Sequence, residues 1–372
     1  MRAKLFYHSL ISDWNHGNAH FLRGIVSELQ ARGHEVEVFE PAGGWSYENL
    51  VAEHGEAPLR AFRERFPEFR STFYDPETLD LDKALDGADL ALVHEWNDHD
   101  LVRRIGEHHA RRGGYALFFH DTHHRSITDP DSMARYDLSS YDGVLAYGKV
   151  LRRIYLDRRW ARRVWTWHEA ADVRVFRPMP QAEKDTDVVW IGNWGDEERT
   201  AELYEYLIDP VRDLGLKARV YGVRYPKKAI EALRSAGIEY GGWLPNWQVP
   251  MAFGRARVTV HVPRRPYATA LPGIPTIRPF EALACGIPLI SAPWNDCEGL
   301  FEAGKDFVMA RNGAEMRQHL RALLDNAALA QEMAEHGRRT VLSRHTCAHR
   351  VDQLLTIFEE VASSREAQFA NV

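Results

Sequence analysis

Cysteine is scarce. The 372-residue chain has three, Cys285, Cys297 and Cys347, odd in number and without metal-ligand spacing, so no structural disulfide is expected and a reducing, cytoplasmic setting suits them. Long apolar runs are missing too: nothing reaches the roughly 18 residues of a membrane span, and the opening MRAKLFYHSLISDW soon meets the polar pair Ser12-Asp13. Neither a signal peptide nor a membrane helix is therefore expected. Positive charge is not in surplus. With 47 Lys and Arg against 53 Asp and Glu, the net charge of −6 argues against nucleic acid as the main partner.

What is present describes a well-cored globular protein, 45% hydrophobic and 27% charged with 11 Trp. The length exceeds what one core normally supports, so two domains are expected. Short β-rich runs alternate with helical patterns: KLFYH, EVEVFE, DLALVHE, YALFFHD, GVLAYG and VWTWHE up to residue 169, then DVVWIGN, KARVYGV, RVTVHVP, PLISAP and DFVMA from residue 187. That rhythm predicts α/β architecture with parallel sheets and crossover helices, and the nearly continuous apolar strands fit burial on both faces. Helical patterns include 20–33, 150–163, 198–215 and 327 to about 363. The break ADVRVFRPMPQAEKDT, 171–186, reads as the boundary. It gives a first domain over 1–175, a second over 186–345 and a closing helix over 346–372 that returns to the first. Two such sheets put a cleft between their carboxyl ends, so functional residues are sought just after strands.

In LPGIPTIRPFEALACGIPLISAP, 271–293, the lone carboxylate Glu281 lies between Pro279, suited to a first helical turn, and Gly286, suited to a left-handed C-terminus. It reads equally as a first-turn acid that caps an amide or as an acceptor for ribose hydroxyls beside amides facing a diphosphate. IGNWGDEERT, 191–200, turns from strand to helix through Asn193 and Trp194. Its glycines would admit a ligand close to backbone, although it is neither a Walker loop nor a Gly-x-Gly-x-x-Gly fingerprint. Arg224, Arg264 and Arg265 follow strands and Arg278 stands nearby, a set suited to forked contacts with phosphate.

In the first half, SDWNHGNAHFLRG brings His16, Gly17, Asn18 and His20 after the first strand, and FFHDTHHRS brings His120, Asp121, His123 and His124 after a central one. One use is hydrogen bonding to sugar hydroxyls with an imidazole or carboxylate as base; another is a metal site, although neighbours on an extended segment alternate faces. Residues 149–165 carry seven cations against one acid, with Trp160 and Trp165. They read as a solvated face, or as a surface for an anionic membrane or an acidic acceptor.

These motifs resemble the GT-B glycosyltransferases of glycosyltransferase group 1 (family 4-like), and most closely the CgeB-like, spore-maturation type branch. The likeness is strongest over 187–357, where WIGNW, YGVRYP, GGWLPN, GIPTIRPFEALACGIPLIS, EGLFEAGKDFV and RRTVLSRHTCAHRVDQLL fall in the family's order. Over the first half it rests on GNAHFLRGIVSELQARGHEV and ALFFHD. The resemblance implies two Rossmann-like domains and transfer of a hexose from a UDP- or GDP-type nucleotide sugar to an acceptor hydroxyl on a glycan, small molecule or protein. It implies no metal and no further cofactor. Glu281 matches the ribose-binding acid, Trp243 and Leu244 lie where the base is read, and His120 matches a histidine that contacts the transferred sugar. Gly17 and Asn18 match the loop near diphosphate and acceptor, while Gly273 and Ile274 form the turn near the sugar. Retaining members carry a second Glu eight residues before the ribose acid, where this chain has Gly273, so the stereochemistry stays open. A GT-B-like nucleotide-sugar epimerase, a metal-dependent hydrolase built on the HDTHH segment and a non-catalytic sugar-binding module remain as alternatives.

Overall fold

The computed structural model describes residues 1–369; the last three residues of the expected closing helix lie outside the described residues. The chain divides into two compact units, Met1–His168 together with the segment from Cys347 onward, and Glu169–Thr346.

The first unit is built on seven strands: β1 (Arg2–Phe6), β2 (Glu35–Pro41), β3 (Ser71–Tyr74), β4 (Leu90–His94), β5 (Ala116–Asp121), β6 (Gly143–Ala146) and β7 (Val164–Thr166). They form one parallel sheet in the order β3-β2-β1-β4-β5-β6-β7. The apolar runs LALVH, ALFFHD and GVLA are buried throughout, because helices cover both faces of a parallel sheet. Helix Ala19–Ala31 lays Phe21, Leu22, Ile25, Val26 and Leu29 inward. The closing helix Cys347–Phe369 packs on it, fixed by Arg32 to Asp352 at 2.6 Å and by the buried Trp167 indole N–H donating to the Arg350 carbonyl at 2.8 Å.

The second unit holds β8 (Thr186–Ile191), β9 (Ala218–Tyr221), β10 (Ile238–Tyr240), β11 (Ala256–His261), β12 (Leu289–Ser291) and β13 (Val308–Met309), parallel in the order β10-β9-β8-β11-β12-β13. Val188, Trp190, Val220, Val258, Val260 and Ile290 make its core with residues of the flanking helices.

Several elements differ from the sequence expectation, each for a local reason. The edge strands β3 and β10 do not stand out in the sequence, because an edge needs no apolar run and the central residues of β3, Thr72 and Phe73, are exposed. The pattern 198–215 is interrupted by a wide turn, Tyr204–Ile208, ahead of Pro210. The basic helix stops at Asp157, and Arg159 takes φ +56°. The expected helix from 327 to about 363 is two helices, Ala327–Arg344 and Cys347–Phe369. At the break the His345 ring meets the Leu300 carbonyl at 2.8 Å, and the His345 carbonyl accepts from the Ala171 N–H at 3.0 Å.

Both sheets reverse strand order once, beside β1 in the first and beside β8 in the second. The crevice at the carboxyl edge of such a reversal is left uncovered by the crossovers. In the second unit this edge is a tight lattice. The Gly222 N–H donates to the Gly242 carbonyl at 2.8 Å, and the Tyr225 and Tyr240 hydroxyls donate to the Gly192 and Gly222 carbonyls, each at 2.8 Å. A Cβ at position 222, where φ is +153°, would stand 1.9 Å from the Gly192 carbonyl oxygen. Gly222→Ala is therefore expected to destabilise the protein by about 2–3 kcal/mol, read as a lowered urea midpoint; an unchanged midpoint would contradict this packing.

Candidate active site

At the reversal of the first sheet, the residues after β1, β4 and β5 form a buried imidazole cluster. His120, the penultimate residue of β5, is 1% exposed. Its Nδ1 lies 2.5 Å from the Tyr7 hydroxyl, and its buried Nε2 has no hydrogen-bond partner among the described residues. The His94 ring stacks on Tyr7 at 4.8 Å and meets Thr122 Oγ1 at 2.9 Å; His8 and His16 pack edge-on at 4.9 Å. Burial depresses all four imidazoles, His120 to about 3 and His8 to about 4, with His16 and His94 well below the usual value. They are neutral at ordinary pH and able to give or take one proton per ring.

The loop from β1 is pinned from beneath. Arg23, on helix Ala19–Ala31, pairs with Asp13 at 2.9 Å and donates to the Leu10 and Ile11 carbonyls, each at 2.8 Å. This places His16 and the exposed Gly17 ahead of Asn18, which caps the helix through its backbone, while His20 is buried in the first turn.

Asp121 faces the other way from His120, as strand alternation requires. Its carboxylate accepts the His123 N–H at 3.0 Å and the Tyr155 hydroxyl at 2.8 Å, and burial raises it to about 6. Beside it, burial pushes the fully enclosed Glu95 up to about 8 while its ion pair with Arg125 opposes that; Arg125 also lies 4.5 Å over the Trp96 ring. Tyr7, His94, Glu95 and Arg125 went unnoticed in the sequence, although the Val-His-Glu-Trp ending of β4 parallels the Phe-His-Asp ending of β5. Among the described residues no group of three or more His, Cys, Asp or Glu is arranged to hold a metal ion.

The second unit gathers its cations at the β8–β11 reversal. Arg264 pairs with Glu198 at 3.1 Å and donates to Asn193 Oδ1 at 3.1 Å. Arg224 pairs with Asp196 at 2.9 Å, and Arg265 with Glu202 at 3.1 Å. The expected phosphate-facing arginines thus already hold carboxylates from the GDEERTAE segment. Arg199, overlooked in the sequence, does not. Its guanidinium donates to the Val262 and Asn193 carbonyls at 2.8 and 2.7 Å and to Asn193 Oδ1 at 2.9 Å, and it lies 5.1 Å over the Trp190 ring. No carboxylate lies within ion-pair distance of it among the described residues; burial, Arg264 and Arg278 lower it to about 9, while Tyr225 and the Glu198 carboxylate pull the other way. Its signal in the sequence is position, a lone cation where the strand-turn of β8 enters a helix.

Helix Ile277–Ala284 starts at Thr276, which takes φ +61°. Glu281 therefore lies in the second turn rather than the first, and the capping role is corrected: its fully buried carboxylate pairs with Arg278 one turn back. Burial lowers Arg278 to about 10, opposed by Cys285 and Glu169, and raises Glu169 to about 8 against the pull of Arg278. His261, at the end of β11, meets Ser291 Oγ at 2.8 Å and is held to about 3 by burial, Arg199 and Arg278. Ile274 is buried and Gly273 takes φ +91°. The half-buried Trp243 and Leu244 follow β10 on the same edge of the sheet. Trp194, by contrast, belongs to the hydrophobic core, its ring edge-on to Tyr225 and its N–H on Thr200 Oγ1 at 2.9 Å.

Residues 199–356 match the family model described as glycosyl transferase-like. No curated protein matches the chain. Among solved structures, sucrose-phosphate synthase of Thermosynechococcus elongatus is similar over 98% of this chain and 100% of its own, with 14% identity and a TM-score of 0.66. Anabaena Alr3699/HepE in complex with UDP and glucose is similar over 97% and 100%, with 12% identity and a TM-score of 0.64. T4 phage BGT in complex with its UDP-glucose substrate is similar over 97% and 99%, with 13% identity and a TM-score of 0.58. At such identities the likeness establishes the fold, two Rossmann-like parallel-sheet units of the GT-B type.

The buried imidazoles give a titration test. Folding holds His120 neutral down to about 3, whereas an unfolded imidazole takes up its proton near pH 6.5. Its contribution to stability is thus fully present above about pH 6.5 and is lost as the pH falls toward its folded value. The NMR resonance of His120, identified by its absence in His120→Asn, is expected not to shift between pH 8 and pH 5; a titration midpoint near 6.5 would refute the burial.

Proposed function

We propose that the chain is a glycosyltransferase of the CgeB-like branch, moving a hexose from a nucleotide-diphosphate sugar to an acceptor hydroxyl without a metal ion. The observation that carries this reading is Arg199, a cation without a carboxylate at the strand-order reversal of the second sheet, where Arg264 and Arg278 add to the positive field. A diphosphate supplies the missing negative charge, and its charge grows as the glycosidic bond breaks, so the same cations stabilise the leaving group. The glycosyl transferase-like match begins at this residue, and the UDP held by the HepE structure and the UDP-glucose held by the T4 structure favour a UDP donor here over GDP.

Within the donor site, Glu281, paired with Arg278, accepts the ribose hydroxyls, and Trp243 and Leu244 border the base. In the first unit, neutral His120 acts at the transferred sugar or acceptor hydroxyl through Nε2. Asp121, with both oxygens engaged, holds the loop rather than the substrate. Gly17, Asn18 and the loop bearing His16 and His20 serve acceptor or diphosphate. The exposed Arg152, Arg153, Arg158, Arg159 and Arg162 suit an anionic membrane surface or an acidic acceptor. No described helix is long and apolar enough to cross a membrane, and the three cysteines are free thiols, in keeping with a cytoplasmic enzyme.

Calorimetry with UDP and GDP tests the reading directly: one of them is expected to bind, and binding of neither would overturn it. Arg199→Met should weaken the nucleotide by about 10- to 100-fold, the worth of a charge-assisted hydrogen-bond partner. His120→Asn should leave nucleotide affinity unchanged and lower kcat by about 100-fold. Release of free nucleotide without any acceptor would favour the epimerase, and binding without turnover on any acceptor would favour the sugar-binding module.

A further inference from the structure

Gly273 lies in the turn that leads into helix Ile277–Ala284, and its φ of +91° belongs to the region that favours glycine. The space beside its Cα is filled by a side chain distant in sequence. A Cβ at position 273 would stand 2.5 Å from Glu298 Cγ, 2.7 Å from Oε1 and 3.0 Å from Cδ. A carboxylate carried by the loop after β12 thus packs directly against Gly273.

That loop is held firmly. The Gly273 N–H donates to the Asn295 carbonyl at 2.6 Å, joining the two loops. The Asp296 carboxylate accepts the Leu300 and Phe301 N–H groups at 3.0 and 2.8 Å, folding 296–301 into a self-capped turn. Leu300 and Phe301 are buried, and the Phe301 ring packs 5.2 Å from Phe280 on the helix that bears Glu281. Glu298 itself is half-buried, with Oε2 shut off from solvent. The Glu298 carboxylate, on this rigid frame, therefore borders the turn at the carboxyl edge of β11 and β12. An ionised carboxylate only accepts hydrogen bonds, so it repels a diphosphate and suits a ligand rich in hydroxyl donors.

We propose that Glu298 binds the hydroxyls of the transferred hexose, supplying from the loop after β12 the acceptor that fixes the sugar at the Gly273 turn. This rests on the nucleotide-sugar reading of the site. A group that touches only the sugar adds affinity for the sugar nucleotide and none for the nucleotide alone, and that difference separates it from a structural strap.

The test uses the full chain with whichever of UDP or GDP the wild type binds, and with the corresponding glucose nucleotide. Glu298→Gln is expected to keep nucleoside-diphosphate affinity within about twofold and to lose about tenfold or more in affinity and KM for the sugar nucleotide. Gly273→Ala, whose methyl displaces the carboxylate, should produce the same selective loss, and the double variant should lose no more than either single one, since both remove one interaction. Should Gly273→Ala fold poorly, Glu298→Gln decides alone. Unchanged sugar-nucleotide affinity in Glu298→Gln, or an equal loss for nucleotide and sugar nucleotide, would overturn the proposal. Wild-type protein that binds no nucleotide is a distinct result, and removes the nucleotide-sugar reading itself.

Discussion

The reversal of strand order is the constraint on which both candidate sites depend. When two neighbouring parallel strands send their crossovers to opposite faces, the carboxyl ends between them are left without a covering connection. In the first unit those ends belong to β1 and β4, and the imidazoles of His8, His94 and His120 gather beside them. In the second they belong to β8 and β11, and there the Asn193 and Val262 carbonyls receive the Arg199 guanidinium. Everything else at these edges adjusts to the room so created, including the approach of Gly222 to Gly192 that excludes any side chain.

Charge is distributed unequally over the two edges. The imidazole cluster is uncharged because burial makes protonation costly, and the carboxylates beside it are either paired, as Glu95 with Arg125, or committed to a turn, as Asp121. The second edge keeps, among its described residues, one buried cation without an ion-paired carboxylate. Arg224, Arg264, Arg265 and Arg278 each hold a carboxylate, yet Arg199 holds only neutral oxygens. An enclosed guanidinium facing carbonyls has its charge half-satisfied, and an anionic ligand completes it better than water does.

Much of the fold was legible. The alternation of apolar runs with helical patterns gave the parallel α/β class, and central strands such as LALVH and ALFFHD reveal themselves because burial on both faces demands continuous apolar residues. Edge strands β3 and β10 did not, since one free side relaxes that demand. The closing helix read as one element because nothing in its residues marks His345 as a stopping point; contacts with Leu300 and Ala171 make it one. Glu281 was singled out as a lone carboxylate, but its helix begins earlier than Pro279 suggests, so it lies in the second turn and pairs with Arg278.

The sequence by itself determined the architecture, the absence of a membrane-spanning pattern and the segments in which chemistry gathers, because hydrophobic periodicity and residue type are local properties. Only the tertiary structure decided which charges are matched and that Glu298, from the loop after β12, packs beside Gly273. Those facts depend on strand order and on loops meeting across the sheet edge, and no spacing along the chain encodes either.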